Sequence, residues 1–154
     1  MLKKDFIEKK IDLIQEELVH LTDFSAFTLE QVSQDFYKYN TLERLLEKII
    51  VRAIDINEHL LVELAGVENK IPETYRETFL QLATLGVYPE EFALQISRSV
   101  GTRNILVHDY DDDKTDYAKI YASVSSCLKD YHSYCQYILT FLKKTIKKEK
   151  HQDT

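Results

Sequence analysis

Between Tyr117 and Leu142 the positions Tyr117, Tyr121, Val124, Leu128, Tyr131, Cys135, Ile138 and Leu142 follow steps of four and three without one slip. That rhythm keeps a stripe on one side of an α-helix, whereas a strand alternates its faces every two residues. Ile7, Ile11, Ile14, Leu18 and Leu21 repeat it near the start, and Leu42, Leu46, Ile49, Ala53, Ile56 and Leu60 repeat it again. Seams this regular predict helices packed antiparallel at about +20°. With three Gly and two Pro in 154 residues, the many turns of a sandwich or barrel have little to be made from. The expected fold is all-α, an antiparallel bundle of about four to six helices in one domain over residues 1–148, with 149–154 as a frayed tail. A long coiled coil carries the same seam, but the Pro and Gly breaks keep each helix short enough to fold back.

Local signals divide the chain further. Thr28 and Gln31 have capping-box spacing, as do Thr74 and Glu77. The region from about 28 to 65 reads as one helix, or as two pieces broken near Asn40, with Gly66 able to end it. After Thr74, a short helix is expected to turn Tyr75, Phe79, Leu82 and Leu85 inward and to stop at Gly86. Pro89 suits the first turn of the next helix, whose stripe of Phe92, Ile96 and Val100 runs up to Gly101. The acidic stretch from Asp109 to Asp113 precedes the last helix, with Asp113 read as its cap.

Charge narrows the function. The net charge is −6, and five lysines from Lys143 to Lys150 crowd the C-terminal end, leaving the body more acidic still. Duplex binding through many phosphate contacts normally needs a basic domain, so broad electrostatic binding is disfavoured while catalysis at one local cationic site is not. The lysine-rich end reads as a solvated helix end, with a secondary role in holding RNA as the other reading. No apolar run reaches the roughly 18 residues of a membrane span, and the first segment lacks the core of a signal peptide, so the cytoplasm is the expected location. Cys127 and Cys135, eight apart on one helix, lie about 12 Å from each other, too far for a disulfide. They read as core thiols, and no Cys/His cluster offers a zinc site.

The segment with chemistry in it is Arg103-Asn104-Ile105-Leu106-Val107-His108-Asp109-Tyr110. An Arg followed by a His at such spacing is a loose pattern, and chance supplies about half a match in a chain of this composition. Arg52 and His59 nearly repeat it. Read alone, His108 is more readily a hydrogen-bonded structural histidine and Arg103 a surface cation. The neighbours say more. Asn104 and His108 are i and i+4, on one helical face where the amide can orient the imidazole. Arg103 lies about 140° around an ideal helix from His108. It must reach across, meet the His of a second chain, or sit in an irregular turn near Gly101. Ile105, Leu106 and Val107 are expected to anchor the segment on the core.

This block resembles the R-x4-H-x-Y motif of HepT-like toxins in the HEPN ribonuclease superfamily. The similarity extends through Leu42-Glu43-Arg44, Ala53-Ile54-Asp55-Ile56, Pro72 to Glu77, Leu85-Gly86-Val87 and Val100 to Asn104, in the family's order. Thr102 departs from the apolar or aromatic residue common there. The resemblance implies a HEPN-like bundle dimerising through the motif region, so that two motifs line one cleft. It implies a metal-independent endoribonuclease without cofactor, the toxin of a two-gene module, with tRNA among the family's substrates. It implies a minimal nucleotidyltransferase antitoxin as partner, which adds AMP to the motif tyrosine, here Tyr110.

The residue types suit that chemistry. A histidine near its ordinary pKa can take the ribose 2′-hydroxyl proton, and a guanidinium can hold two oxygens of the charged phosphorane. His108 is assigned as general base or acid, Arg103 as phosphate clamp and Asn104 as orienting or phosphate-contacting group. An AMP on Tyr110 would fill the cleft and compete for Arg103. A groove of positive potential is expected around Arg103. Glu43, Arg44 and Asp55 read as a bundle salt-bridge set, and the tyrosines of the last helix as core residues with hydroxyls reaching the rim. Two rival functions remain. One is a catalytically silent HEPN module that presents a nucleotidyltransferase partner, and the other is an enzyme pair that transfers nucleotides to a different target. Loss of RNA cleavage on changing His108 separates ribonuclease from silent module, and the mass of Tyr110 after co-expression tests the other.

Overall fold

The computed structural model describes residues 2–65, 72–108 and 116–152. Its described residues form seven helices: α1 (Lys4–Phe24), α2 (Leu29–Ser33), α3 (Phe36–Ala65), α4 (Tyr75–Thr84), α5 (Glu90–Ile96), α6 (Ser99–His108) and α7 (Tyr117–Gln152). Five of them have ten residues or more, and α2 and α5 are short connectors. The all-α bundle expected from the stripes is the fold observed.

The stripe residues of α1 and α3 are buried, from Ile7 to Leu21 and from Leu42 to Leu60, and they meet Ile120, Val124, Tyr131, Cys135, Ile138 and Leu142 of α7 in one core. Polar pairs give the directions. Lys10 meets Asp55 at 2.9 Å and Glu17 meets Arg52 at 2.7 Å, so α1 runs antiparallel to α3. Tyr39 meets Tyr117 edge-to-face with ring centroids 4.5 Å apart, and Tyr134 donates to the Ala53 carbonyl at 3.1 Å, so α3 and α7 run the same way. The chain between them must therefore return across the bundle, and α4, α5 and α6 lie on that return.

The region from 28 to 65 is two pieces, but the break falls at Gln34–Asp35 instead of Asn40. Asp35 decides it. Its Oδ1 accepts from Tyr37 N at 3.0 Å and Lys38 N at 3.1 Å, satisfying amides that open α3. Thr28 and Gln31 form the full capping box of α2, and Thr74 Oγ1 accepts from Glu77 N at 3.2 Å to start α4. Gly86, at φ 81°, ends α4 in a Schellman turn, its N–H on Ala83 and that of Val87 on Leu82, both at 3.0 Å. Pro89 stands one position earlier than expected, as the N-cap of α5.

One expected stripe is split. Phe92, Ile96 and Val100 do not share a helix: α5 stops at Ile96, Ser97 and Arg98 turn the chain, and Gly101 lies inside α6 instead of ending a helix. The Ser97 and Ser99 hydroxyls accomplish the turn by donating to the Leu94 and Ile96 carbonyls at 2.8 and 2.7 Å. Asp116 caps α7 through Lys119 N at 3.1 Å, while Asp113, given that role from sequence, lies outside the described residues together with Gly66. Among the described residues, no helix is long and apolar enough to cross a membrane.

Candidate functional site

Two anchors fix α6. At its start, the Ser99 hydroxyl meets the Tyr131 hydroxyl at 2.7 Å inside the core. Burial pushes the Tyr131 phenol well above its ordinary pKa, so it remains a neutral hydrogen-bonding group. This corrects the expectation of rim hydroxyls for two of the α7 tyrosines: Tyr131 and Tyr134 are fully covered, and Tyr134 donates inward to Asn57 Oδ1 at 2.6 Å. Near its end, Leu106 is buried. Ile105 is half-buried, and Val107 is 42% exposed, so the aliphatic trio anchors through its first two members only. A third successive residue is turned a further 100° and must leave the core.

The motif side chains face outward from this anchored helix. Arg103 is half-buried, and Asn104 and His108 are exposed. Helix α6 runs unbroken through His108, so the angular offset of about 140° between Arg103 and His108 stands. Of the three structural ways to join them, the irregular turn near Gly101 is thereby removed. Among the described residues, no hydrogen bond joins Asn104 to His108, although the two share a face. Tyr110 lies outside the described residues.

Arg103 has a different neighbour from those expected. Its guanidinium carbon stands 4.8 Å from the ring centroid of Tyr75, a cation–π contact. Tyr75, expected inward with Phe79 and Leu82, is 42% exposed for that purpose, while the other two are fully buried. The contact forms one wall of a cavity of about 800 Å³, lined by Glu73, Tyr75 and Arg76 from the start of α4, Arg98 from the turn, and Gly101, Arg103 and Asn104 from α6. Among the described residues, three of the chain's five arginines therefore share one cavity with one acid, Glu73. Tyr75, Arg76 and Arg98 were not singled out as site residues by the sequence, since they lie outside the motif. Arg44 lies away from this cavity and pairs with Glu47 at 3.6 Å. Asp55 pairs with Lys10 at 2.9 Å, so Arg44 and Asp55 belong to separate ion pairs.

Elsewhere the titratable groups have structural roles. Cys127 and Cys135 are buried free thiols pushed up to about 12 by desolvation, inert as nucleophiles. Arg52 is bonded to Glu17, and His59 packs on the Phe6 ring at 5.1 Å, so the second Arg–His pair is part of the α1–α3 seam. Among the described residues no group of three His, Cys, Asp or Glu is gathered to hold a metal ion.

The family model for ribonuclease HepT-like proteins matches residues 14–138. Over 136 residues, the chain is 35% identical to the tRNA nuclease HepT of Aphanizomenon flos-aquae (strain 2012/KM1/D3), covering 88% of this chain and 89% of that protein. The chain belongs to the HepT-like ribonuclease family. Solved structures agree on the fold of this HepT-like ribonuclease. A chain of a toxin–antitoxin crystal structure with AMP-PNP aligns at TM-score 0.76 and 24% identity, covering 88% of this chain and 98% of that one. A chain of the tri-AMPylated Shewanella oneidensis HEPN toxin in complex with MNT antitoxin aligns at 0.75 and 24%, covering 91% and 99%. The cytosolic protein YutE of Bacillus subtilis, of unknown function, aligns at 0.76 and 17%, covering 94% and 93%. As a HepT-like ribonuclease, the chain is an endoribonuclease, and the described part of its R-x4-H-x-Y motif, Arg103 to His108, lies on α6.

Proposed function

We propose that this HepT-like ribonuclease is the toxin of a toxin–antitoxin pair, cutting tRNA or another RNA in the cytoplasm through the ribose 2′-hydroxyl and without a metal ion. The observation that carries the reading is the cavity beside the motif, where Arg76, Arg98 and Arg103 concentrate positive charge on a chain of net charge −6. An acidic protein with a cationic cavity can take up a polyanion locally at that cavity.

In the reaction, His108 accepts the 2′-hydroxyl proton as the 2′-oxygen attacks the adjacent phosphorus. Arg103 holds two non-bridging oxygens through its fork as the phosphorane gains charge, and Asn104 adds a polar contact. The P–O5′ bond then breaks, leaving a 2′,3′-cyclic phosphate, and the departing oxygen takes a proton from a second acid. Because His108 and Arg103 point about 140° apart on α6, one phosphate meets both only if Arg103 reaches across or a second chain supplies the histidine, and the reading taken here is the second. A homodimer joined at α6 supplies the missing member, with the partner's copy of His108 opposite this chain's Arg103 and serving as the acid or the base. The exposed Val107 on the same stretch suits such a contact.

The MNT antitoxin complex of the Shewanella toxin supports a nucleotidyltransferase partner for this chain, silencing it by adenylylation of Tyr110. The added phosphate would compete for Arg103, which precedes Tyr110 in the same motif. The deciding experiment is cleavage of total tRNA, with metal chelated, by the purified chain and by His108→Ala. Cutting by the parent alone establishes the ribonuclease and the role of His108 together. If neither cuts while the mass of Tyr110 shows it unmodified, the chain is a HEPN module that only presents its partner.

A further inference from the structure

The geometry points to the cavity between the start of α4 and the α5–α6 turn as an RNA-backbone site beyond the motif, in which Arg76 and Arg98 hold phosphates flanking the cleaved bond and Tyr75 positions the Arg103 guanidinium. This inference rests on the ribonuclease reading above and extends it to residues outside the motif.

Residue type is the first argument. From residue 71 to 113 the cations are Arg76, Arg98 and Arg103, with no lysine, whereas the rest of the chain has two arginines and fifteen lysines. For solubility alone either cation serves. A planar guanidinium presents a donor fork matched to two phosphate oxygens, and an ammonium does not. The fold then gathers these three from separate places, a helix start, a turn and the motif helix, onto one cavity.

Partners are the second argument. Arg52 and Arg44 each have a glutamate, Glu17 at 2.7 Å and Glu47 at 3.6 Å. Among the described residues, Arg76, Arg98 and Arg103 have no carboxylate within 4.0 Å. Glu73 is on the lining, and buried Asp130 feels the charge of Arg98 from the neighbouring cavity. Guanidinium groups brought together repel, and a chain with an excess of acids had carboxylates available to place between them. Leaving the cluster open favours an anion from outside. At about 800 Å³ the space suits a nucleotide unit with its phosphates, larger than a lone inorganic ion needs.

Tyr75 is the third. Its ring, exposed to solvent, lies under the Arg103 guanidinium, and this face-on contact restricts the swing of a long flexible side chain. A ring serves this purpose whether or not it has a hydroxyl. Tyr75→Phe should therefore preserve function and Tyr75→Leu should not.

Binding of unfractionated tRNA, measured in a His108→Ala background over a series of salt concentrations, tests the cavity. The expected result is that Arg76→Ala with Arg98→Ala lowers the slope of log K against log salt by about 1.5, at roughly 0.7–0.9 for each phosphate left without its arginine. Arg44→Ala, away from the cavity, should leave the slope unchanged. In the His108 chain, the double variant should raise KM for tRNA more than it lowers kcat, and Tyr75→Leu should lower kcat at unchanged binding, with recovery in Tyr75→Phe. An unchanged slope and affinity in the double variant, with the parent still cutting, overturns the cavity site and leaves the ribonuclease reading standing. Unchanged kcat in Tyr75→Leu overturns its positioning role. A parent that neither binds nor cuts tRNA, with Tyr110 verified unmodified, overturns both.

Discussion

Where α1 meets α3, Arg52 is 20% exposed and held by Glu17 at 2.7 Å; where α4 meets α6, Arg76 and Arg98 are exposed with no carboxylate within 4.0 Å among the described residues. The polar groups of that first region, and of the core that α3 shares with α4 and α7, are closed within the chain. Asn57, fully buried, accepts from Tyr134 at 2.6 Å and donates to Thr78 at 3.2 Å, and among the described residues no buried side-chain nitrogen or oxygen lacks a partner. The second region keeps its cations open to solvent. A chain able to satisfy its core so fully has left the α4–α6 face unpaired where RNA chemistry needs donors, so the two regions should respond to substitution in opposite ways.

His108→Ala has the largest expected effect on activity, a loss of about 10²–10⁴ in tRNA cleavage rate as proton transfer is removed. Since His108 is exposed, its melting temperature should match that of the parent. A loss of fold together with activity would break the contrast. The converse is Ile49→Ala in α3, where a fully buried side chain leaves a cavity costing about 2–5 kcal/mol in a urea titration. Cleavage per folded molecule should not change.

This contrast also marks what could be read from the residues. The helices with an uninterrupted stripe, α1, α3 and α7, were legible because burial of one face is a periodic demand. The break at Asp35 was not, because a carboxylate accepting the amides two and three residues ahead of it has no period. The α5–α6 turn was hidden for the opposite reason: Phe92, Ile96 and Val100 keep helical spacing although the chain turns between the last two. The motif stood out through its resemblance to a family. Tyr75 did not, since an aromatic ring at a stripe position reads as core, and only the position of Arg103 shows why it is exposed. Arg76 and Arg98 come beside Arg103 through tertiary packing, which no short spacing records.

Tyr134→Phe tests the closed region more finely. It removes the hydroxyl that donates to Asn57 Oδ1 and reaches the Ala53 carbonyl at 3.1 Å, leaving buried acceptors short of a donor. About 1–3 kcal/mol should be lost in urea, without effect on tRNA affinity. A smaller effect is expected at Asp130, between the two regions. Burial raises its pKa against the opposing Gln95 hydrogen bond and the Lys129 and Arg98 charges, and Cys127 lies on the same cavity. A carboxyl raised in the folded state contributes stability below its ordinary range near 3.8, and that contribution is lost as pH rises through the folded value. Asp130→Asn keeps an acceptor for Gln95, so its stability relative to the parent should increase from acid to neutral pH. Urea titrations at several pH values would show it, and a constant difference would mean that Asp130 is ionised in the fold without penalty.

The smallest effect is the most discriminating, because its sign differs between stability and activity. Gly101 stands inside α6 and lines the arginine cavity, and a Cβ added there meets no atom within 4 Å. Alanine is the better helix former, so Gly101→Ala should stabilise the fold by about 0.4–1 kcal/mol. Gly86→Ala has equally open space but must hold φ at 81°, and should destabilise. If the cavity receives RNA backbone, the added methyl at Gly101 narrows the approach of a phosphate, and cleavage should weaken while the melting temperature rises. If activity rises or holds with stability, the glycine is only a helix defect, and RNA passes Arg103 on its other side.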